Sequence, residues 1–270
     1  MFWIRLRSSV LIVIVAVLVL WPGGLVTAAG IGVVSLIGMY ELNRIEGVER
    51  KLPGILSYIC SAAYYVILYL APEKESMLFV TGSLTLLLIA YVVTFPRYRF
   101  EQIAVPFFGL FYVSVMLSYV VRLRDIGSGL LVFLIFISSW GCDTCAYCAG
   151  ILFGKHKMTP KLSPKKTVEG AIGGMAGAAL LGALFGQIFA GRLAPIFHTW
   201  SPALGCALIC LVGSVGSQIG DLAASAIKRN FDIKDYGHLI PGHGGILDRF
   251  DSVIFVAPAI YAVLLLVRTL

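Results

Sequence analysis

The feature that most constrains this chain is a series of nine long apolar stretches separated by short polar segments. A helix needs roughly 20 mostly apolar residues to cross the hydrocarbon core of a bilayer. An outer-membrane β-barrel would instead show alternating segments of about ten residues. The sequence therefore predicts an all-α polytopic membrane protein with about nine transmembrane helices. The stretches cover residues 8–21, 24–42, 53–71, 77–95, 103–121, 128–153, 168–190, 201–228 and 252–269.

Composition supports this interpretation, because 59% of the 270 residues are hydrophobic and only 13% are charged. A soluble domain of this length would normally contain a larger share of charged residues. The first stretch follows Arg5 and Arg7 and precedes small residues at 27–29, a pattern that resembles a secretory signal peptide. We expect it to be a membrane helix that turns at Pro22-Gly23-Gly24.

The basic residues predict an orientation. If nine helices alternate in direction, 16 of the 21 lysines and arginines fall on one side. The positive-inside rule makes that side cytoplasmic, so we expect a multi-pass inner-membrane protein. Two loops on this side, 154–167 and 229–251, carry much of the excess. The net charge of +7 suits an anionic leaflet or a phosphate substrate, and does not distinguish them.

The two halves of the chain differ in interior charge. In helices one to five, which occupy 1–125, Glu41 is the main charged residue near a helix interior. In 126–270, Asp143 lies in helix six and Asp221 in helix eight. A carboxylate within a span is costly and usually faces a bundle interior or a water-filled cavity. We therefore divide the chain into N-terminal helices (1–125) and a C-terminal catalytic unit (126–270) that contains both loops.

Helical spacing places small and polar residues on shared faces. Asp143, Tyr147 and Gly150 share one face of helix six, while Asp221 and Lys228 share a serine-containing face of helix eight. We expect these faces to turn toward each other and away from lipid. Pairs with G-x-x-x-G spacing, which permit close helix packing, occur in helices six to eight and not in the first five. The pairs are Gly150/Gly154, Gly170/Gly174, Gly173/Gly177, Gly182/Gly186 and Gly216/Gly220.

A C-x-x-C-x-x-C run at Cys142, Cys145 and Cys148 superficially resembles the spacing of soft-metal ligands. These cysteines lie in an apolar helical stretch, where they cannot close around one zinc ion without breaking the helix. We interpret them as small buried thiols.

The first motif loop joins helices six and seven and contains five lysines. Lysine is a compact point charge that suits phosphate. Thr167 is placed to cap helix seven, whose N-terminal amides would also attract an anion. An ordinary positive-inside loop would also be rich in lysine. The run Ser163-Pro-Lys165-Lys166-Thr167, directly before a glycine-rich helix, favours a phosphate site instead.

The second motif loop combines glycines with paired carboxylates. His243-Gly244-Gly245 offers backbone that a ligand can approach closely. Asp248 and Asp251 are three residues apart, so both face one side of a helical start. Carboxylates beside basic residues suit Mg²⁺ and a nucleotide phosphate chain. A D-x-x-D pair alone is usually structural.

Three motifs together resemble one family. They are S-x-I-K-R-x4-K-D-x4-I-P-G-H-G-G-I-L-D-R-F-D at 225–251, D-T-x-A-Y-x-x-G-x-x-x-G at 143–154, and K-x-S-P-K-K-T-x-E-G at 161–170. The chain resembles the phosphatidate cytidylyltransferase (CDP-diacylglycerol synthase) family, strongly so over 140–255. The resemblance implies that the phosphate of phosphatidic acid attacks the α-phosphorus of CTP, with Mg²⁺ assisting and pyrophosphate leaving. Such catalysis needs positioning and charge neutralisation, and no covalent nucleophile.

The reaction that the resemblance implies suggests a role for each of the motif residues. The expected cation ligands are Asp143, Asp221, Asp248 and Asp251, which would hold Mg²⁺ with room for a second cation in the same centre. The expected nucleotide-binding residues are Ser163, Lys165, Lys166, Thr167, His243, Gly244, Gly245 and Arg249. The expected lipid-phosphate residues are Lys228, Arg229 and Lys234, the first two being counted as catalytic with Asp221, Asp248 and Asp251. His243 could also act as a general base, which the reaction does not require.

Other classes fit less well. A transporter would place charges in helix interiors too, but would not require His-Gly-Gly beside a carboxylate pair. The CDP-alcohol phosphotransferase motif begins Asp-Gly, a dipeptide that this sequence lacks, and a P-loop would need one more residue before Lys155. A CTP-dependent polyprenol kinase would release CDP. The expected partners are CTP, phosphatidic acid and membrane lipids, without nucleic acid, and the oligomeric state is left open with a homodimer included.

Overall fold

The structure is a computed structural model that describes residues 2–71, 76–197, 200–240 and 244–269. Within these ranges, eight helical segments are long and apolar enough to cross a membrane. They are Gly24–Ile45, Leu52–Leu70, Met77–Thr94, Glu101–Arg124, Leu130–Phe153, Val168–Ile188, Pro202–Asn230 and Leu247–Val267. The prediction of an all-α, multi-pass membrane protein is confirmed.

The first predicted stretch differs from the other eight. Helix α1 spans Phe2–Leu20, and its apolar part, Val10–Leu20, is shorter than a full span. The chain breaks after it because Gly23 and Gly24 have φ angles of 75° and 53°, which are left-handed values that glycine adopts without a steric penalty. The predicted turn is confirmed.

The chain divides into two compact units. The first comprises Met1–Val121 and Asp235–Arg249, and the second comprises Arg122–Lys234 and Phe250–Leu270. Most of the second motif loop therefore packs with the N-terminal helices, whereas the sequence-based division placed that loop in the C-terminal part.

Buried polar contacts join the helices of the first unit. The Ser35 and Tyr65 hydroxyls lie 2.7 Å apart, as do the Ser61 and Ser114 hydroxyls. Because apolar side chains gain little by leaving lipid for another helix, such hydrogen bonds and close packing hold helices together. The elements are α2 (Gly24–Ile45), α3 (Leu52–Leu70), α4 (Ser76–Thr94), α5 (Glu101–Gly109), a π-helical segment (Leu110–Val115) and α6 (Met116–Arg124), whose end enters the second unit.

In the second unit, the predicted sixth helix is a composite and is followed by a hairpin. A 3₁₀ turn (Leu130–Val132), α7 (Phe133–Phe136), a π-helical segment (Ile137–Gly141) and α8 (Cys142–Phe153) form one span. The remaining elements are β1 (Lys157–Thr159), β2 (Ser163–Thr167), α9 (Val168–Ile188), α10 (Ala190–Leu193), α11 (Pro202–Asn230) and α12 (Leu247–Thr269), whose first turn lies in the first unit.

Glycines of α9 let two other helices approach closely. A Cβ atom added at Gly174 would lie 2.9 Å from the Ala146 Cβ on α8. One added at Gly182 would lie 2.7 Å from the Cys206 carbonyl oxygen and from the Cys210 sulfur on α11. Real Cβ contacts are longer, so only glycine fits without a shift of the backbone. The predicted close packing of these three helices is confirmed.

Gly182→Ala should therefore lower stability by about 1–3 kcal/mol, the usual effect of overpacking. Thermal unfolding of the purified protein measures this change. Gly82→Ala in α4 is the matched control, because nothing lies within 4 Å of a Cβ added there. Equal melting temperatures for the two variants would contradict the close packing of α9 and α11.

Candidate active site

The first motif loop is a two-stranded antiparallel hairpin and not an irregular loop. Lys157 pairs with Thr167, and Thr159 pairs with Ser163. On β2, Pro164 and Lys165 are exposed, whereas Lys166 and Thr167 are half-buried. The two neighbouring lysines, given one role by the sequence, have different surroundings.

Thr167 ends the hairpin and is the N-cap residue of α9. Its hydroxyl oxygen accepts a hydrogen bond of 3.1 Å from the Gly170 N–H, which is the predicted N-cap. A Cβ atom added at Gly150 would lie 3.2 Å from this oxygen, and one at Gly154 would lie 2.9 Å from it. The predicted cap is confirmed, and α8 passes close to it. Nucleotide binding by Thr167 and Ser163 stays a prediction.

Glu169 fixes the chain between α8 and the hairpin. Its carboxylate accepts the backbone N–H of Lys155 at 3.1 Å and that of His156 at 3.2 Å. It also lies 2.6 Å from the Nδ1 atom of His156. Glu169 belongs to the K-x-S-P-K-K-T-x-E-G motif, although the sequence indicated no role for it.

Lys166 forms an ion pair with Asp221 of α11. The side chains are 27% and 29% exposed respectively, so solvent screens the pair only in part. The contact joins a residue predicted to bind nucleotide to a residue predicted to bind a cation. Asp221 therefore has a partner outside its own helix, although Lys228 lies on the same predicted face of α11.

The predicted inward-facing stripe of α8 is wrong in part. Asp143 is exposed and Tyr147 is 70% exposed, whereas Gly150 packs near Thr167. The glycines of α9 pack against small residues of α8, such as Cys142 and Ala146. The larger side chains of α8 therefore lie outside this helix contact.

The cysteine interpretation also holds only in part. Cys142 is buried, Cys145 is half-buried and Cys148 is exposed, and all three are free thiols. Six residues at 100° each place Cys148 about 120° around the helix from Cys142, so they do not share an environment.

In the first unit, Asp248 organises the second motif loop. Its Oδ2 atom accepts the N–H of Tyr236 at 2.8 Å and that of Gly245 at 3.0 Å, and the residue is 7% exposed. Gly244 has a φ of 83°, and a Cβ added there would lie 2.9 Å from the same oxygen. The two glycines therefore let the loop close over the carboxylate. The Gly245 N–H, predicted to face a nucleotide, is bonded to Asp248 here.

Other predicted residues of this region are placed as follows. His243 lies outside the described residues. Arg249 is half-buried, and its N–H donates to the Ile246 carbonyl at 2.9 Å. In the last turn of α11, Lys228 is half-buried and Arg229 is exposed, and Lys234 is exposed beyond the helix. Their predicted roles toward the nucleotide and the lipid stay predictions.

Asp251 lies one turn after Asp248 on α12 and belongs to the second unit. Its Oδ1 atom accepts the N–H of Ser252 at 2.7 Å, and the residue is 7% exposed. Its backbone oxygen would lie 2.9 Å from a Cβ at Gly220 of α11. Among the described residues, no three His, Cys, Asp or Glu side chains are close enough together to hold a metal ion. The four-carboxylate cation centre stays a prediction.

Comparison with known proteins identifies the family. The profile of the Cytidylyltransferase family matches residues 3–267. The chain belongs to this family. It is 32% identical to the phosphatidate cytidylyltransferase of Bacillus subtilis strain 168, over 97% of each chain. It is also 32% identical to phosphatidate cytidylyltransferases of Staphylococcus saprophyticus and of Staphylococcus aureus strain COL, over 97% of this chain and 98% of each relative.

These relatives match the N-terminal helices as well as the motif region, since the alignments cover nearly the whole chain. One residue of those helices stands out in the structure. Glu41 of α2 is 5% exposed and accepts backbone hydrogen bonds from residues 246 and 247. The sequence indicated Glu41 as an unusual interior charge, but nothing near it in the sequence indicated its partners.

Proposed function

We propose that the chain transfers the cytidylyl group of CTP to phosphatidic acid, giving CDP-diacylglycerol and pyrophosphate for phospholipid synthesis. End-to-end similarity to three phosphatidate cytidylyltransferases supports this reaction. The structural observation that carries it is the ion pair of Lys166 with Asp221. A cation for phosphate, on the hairpin that leads directly into α9, is adjacent there to a carboxylate for a metal on α11.

The reaction brings together two anions, so the chain's main task is to neutralise and orient them. The phosphate of phosphatidic acid is itself the nucleophile, and the α-phosphorus of CTP is the centre that it attacks. Exposed Lys165 and the amide end of α9 offer positive potential to the triphosphate. Lys228, Arg229 and Lys234, around the end of α11, offer it to the lipid headgroup.

The carboxylates fit Mg²⁺ by their chemistry, because this ion prefers hard oxygen ligands. Asp221, Asp248 and Asp251 are the proposed ligands, with Asp143 as a fourth carboxylate. One turn before Asp221, the buried Ser217 hydroxyl has no hydrogen-bond partner among the described residues, so α11 carries a second oxygen suited to a hydrated ion. Bound Mg²⁺, alone or with a second cation, would neutralise charge on the reacting phosphates.

The reaction distinguishes this proposal from the two remaining alternatives. Purified protein in lipid vesicles with phosphatidic acid, Mg²⁺ and CTP labelled in the cytidine should form labelled CDP-lipid and equimolar pyrophosphate. Release of CDP in place of pyrophosphate would indicate a kinase, and CTP binding without turnover would indicate a transporter. Either result would overturn the proposal.

Asp248→Asn and Asp251→Asn should each lower turnover by about 100-fold, since an amide is a poor Mg²⁺ ligand. The Asp248→Asn variant should stay folded because the amide oxygen can still accept the Tyr236 and Gly245 N–H groups. Initial rates at limiting Mg²⁺ measure the effect. Asp232→Asn is the matched control: Asp232 is exposed with a φ of 53°, a conformation that asparagine tolerates. Full activity of either site variant would remove that residue from the ligand set.

The two lysines of β2 should differ in their effects on CTP kinetics. Lys165→Ala should raise the KM for CTP with little change in kcat, because it removes only an exposed charge. Lys166→Ala should raise KM and also lower kcat, because it additionally leaves Asp221 without its partner. Steady-state kinetics at saturating phosphatidic acid measure both constants.

The lysine and arginine that end α11 give the reciprocal control. Lys228→Ala and Arg229→Ala should mainly raise the KM for phosphatidic acid and leave the KM for CTP nearly unchanged. The opposite pattern in the β2 and α11 variants would exchange the two assignments.

The active site is proposed to face the cytoplasm, on the strength of the 16-to-5 asymmetry of basic residues. With exposed Cys148 replaced by alanine, single cysteines at Lys157 and Asp235 should react with an impermeant maleimide only when the cytoplasmic face is accessible. A cysteine at exposed Arg192 should show the opposite behaviour. Labelling of position 157 or 235 in intact cells would contradict this orientation.

A further inference from the structure

Glu41 joins two parts of the first unit that are about 200 residues apart in the sequence. It lies in the last turns of α2 and is 5% exposed. Its Oε1 atom accepts the Ile246 N–H at 3.0 Å, and its Oε2 atom accepts the Leu247 N–H at 2.8 Å. Both oxygens of one carboxylate are thus bonded to two consecutive amides at the start of α12.

These amides need an acceptor. The first N–H groups of a helix have no partner within the helix, and they carry the positive end of its dipole. A side chain just before the helix usually provides the cap, whereas here a charged residue from another helix does so. Because a carboxylate in an apolar helix is costly without donors, Glu41 and the α12 start satisfy each other.

Two glycines let the carboxylate approach the loop. A Cβ atom added at Gly237 would clash with the Glu41 Oε1 atom, and one added at Gly245 would clash with both oxygens. Both glycines are buried. The backbone of the second motif loop therefore lies against Glu41 on two sides.

Asp248 lies in the same segment, at the start of α12. That residue follows Leu247 directly, and its Oδ2 atom holds the Gly245 and Tyr236 N–H groups. Two carboxylates consequently fix this loop, Glu41 from α2 and Asp248 from within. Displacement of the α12 start would move the Asp248 carboxylate with it.

We propose that Glu41 is a positioning residue for the reaction: it holds the start of α12, and with it Asp248, in the geometry that turnover needs, without contacting either substrate. This inference depends on the proposed function, in which Asp248 is a cation ligand. It gives the N-terminal helices a part in catalysis that their apolar sequence did not indicate.

The test compares Glu41→Gln with a matched control, Glu46→Gln. Glutamine keeps the size of the side chain but offers only one acceptor oxygen, and it turns an N–H₂ group toward the second amide. Glu46 is the C-cap residue of the same helix, and its carboxylate, on a side chain that is 11% exposed, lies 3.7 Å from the guanidinium of exposed Arg99. The full-length protein in vesicles is assayed for kcat, for the KM of CTP, for the Mg²⁺ concentration that gives half-maximal rate, and for its melting temperature.

For Glu41→Gln we expect kcat to fall by about 10–100-fold and the half-activating Mg²⁺ concentration to rise, the usual result of removing a group that orients a metal ligand. Glu41→Asp keeps the charge on a shorter side chain and should recover part of the rate. Glu46→Gln should match the wild type. A merely structural role would change the melting temperature and leave the Mg²⁺ dependence of the folded protein unaltered.

Gly237→Ala provides a second test if Glu41→Gln does not fold, since its methyl group displaces the Glu41 carboxylate without changing a predicted site residue. Wild-type kcat and Mg²⁺ dependence in the folded Glu41→Gln variant, or in Gly237→Ala in its place, would overturn the inference. Absence of CDP-lipid formation by the wild type would instead overturn the proposed function. The two failures are therefore distinguishable.

Discussion

A carboxylate placed in an apolar helix is costly unless donors surround it, and the organisation of both motif regions follows from this constraint. Asp221 of α11 pairs with Lys166 of β2. Glu41 of α2 accepts two amides at the start of α12. In each case the partner comes from a segment distant in sequence. These two interior carboxylates thus link α11 to β2 and α2 to the start of α12.

Close packing of helices makes the pair in the second unit feasible. Glycines of α9 bring α8 and α11 to backbone distance, and Thr167 closes the end of α9 next to Gly150 and Gly154. A lysine on the strand that leads into α9 can then reach a carboxylate on α11. Larger residues at these glycines would separate the helices and lengthen that reach. The glycines bear no functional group, but they set the short distance between helices that lets this lysine reach the carboxylate.

Sequence patterns predicted the features that depend on local composition. The length of the apolar stretches predicted the membrane spans, and the threonine before a glycine-rich helix predicted the Thr167 cap. The G-x-x-x-G spacing predicted the close packing of α9 against α8 and α11. Three features were not predicted because they depend on tertiary contacts. The lysine-rich loop pairs as a hairpin, α8 turns Tyr147 outward because smaller residues fill its contact with α9, and Glu41 bonds to amides 205 and 206 residues away.

Glu41 and Glu169 each hold a motif region by accepting hydrogen bonds from two consecutive backbone amides. Each motif region contains glycine, lysine and proline, residues that bury little apolar surface and cannot hold a loop by packing alone. Glu169 accepts the consecutive amides of Lys155 and His156 beside the first loop. Glu41 accepts the consecutive amides of Ile246 and Leu247 beside the second. Two charge-assisted hydrogen bonds to consecutive amides fix the direction of a backbone as well as its position. A glutamate outside each loop therefore orders that loop through its backbone amides, and in the second loop Asp248 adds to this order from within.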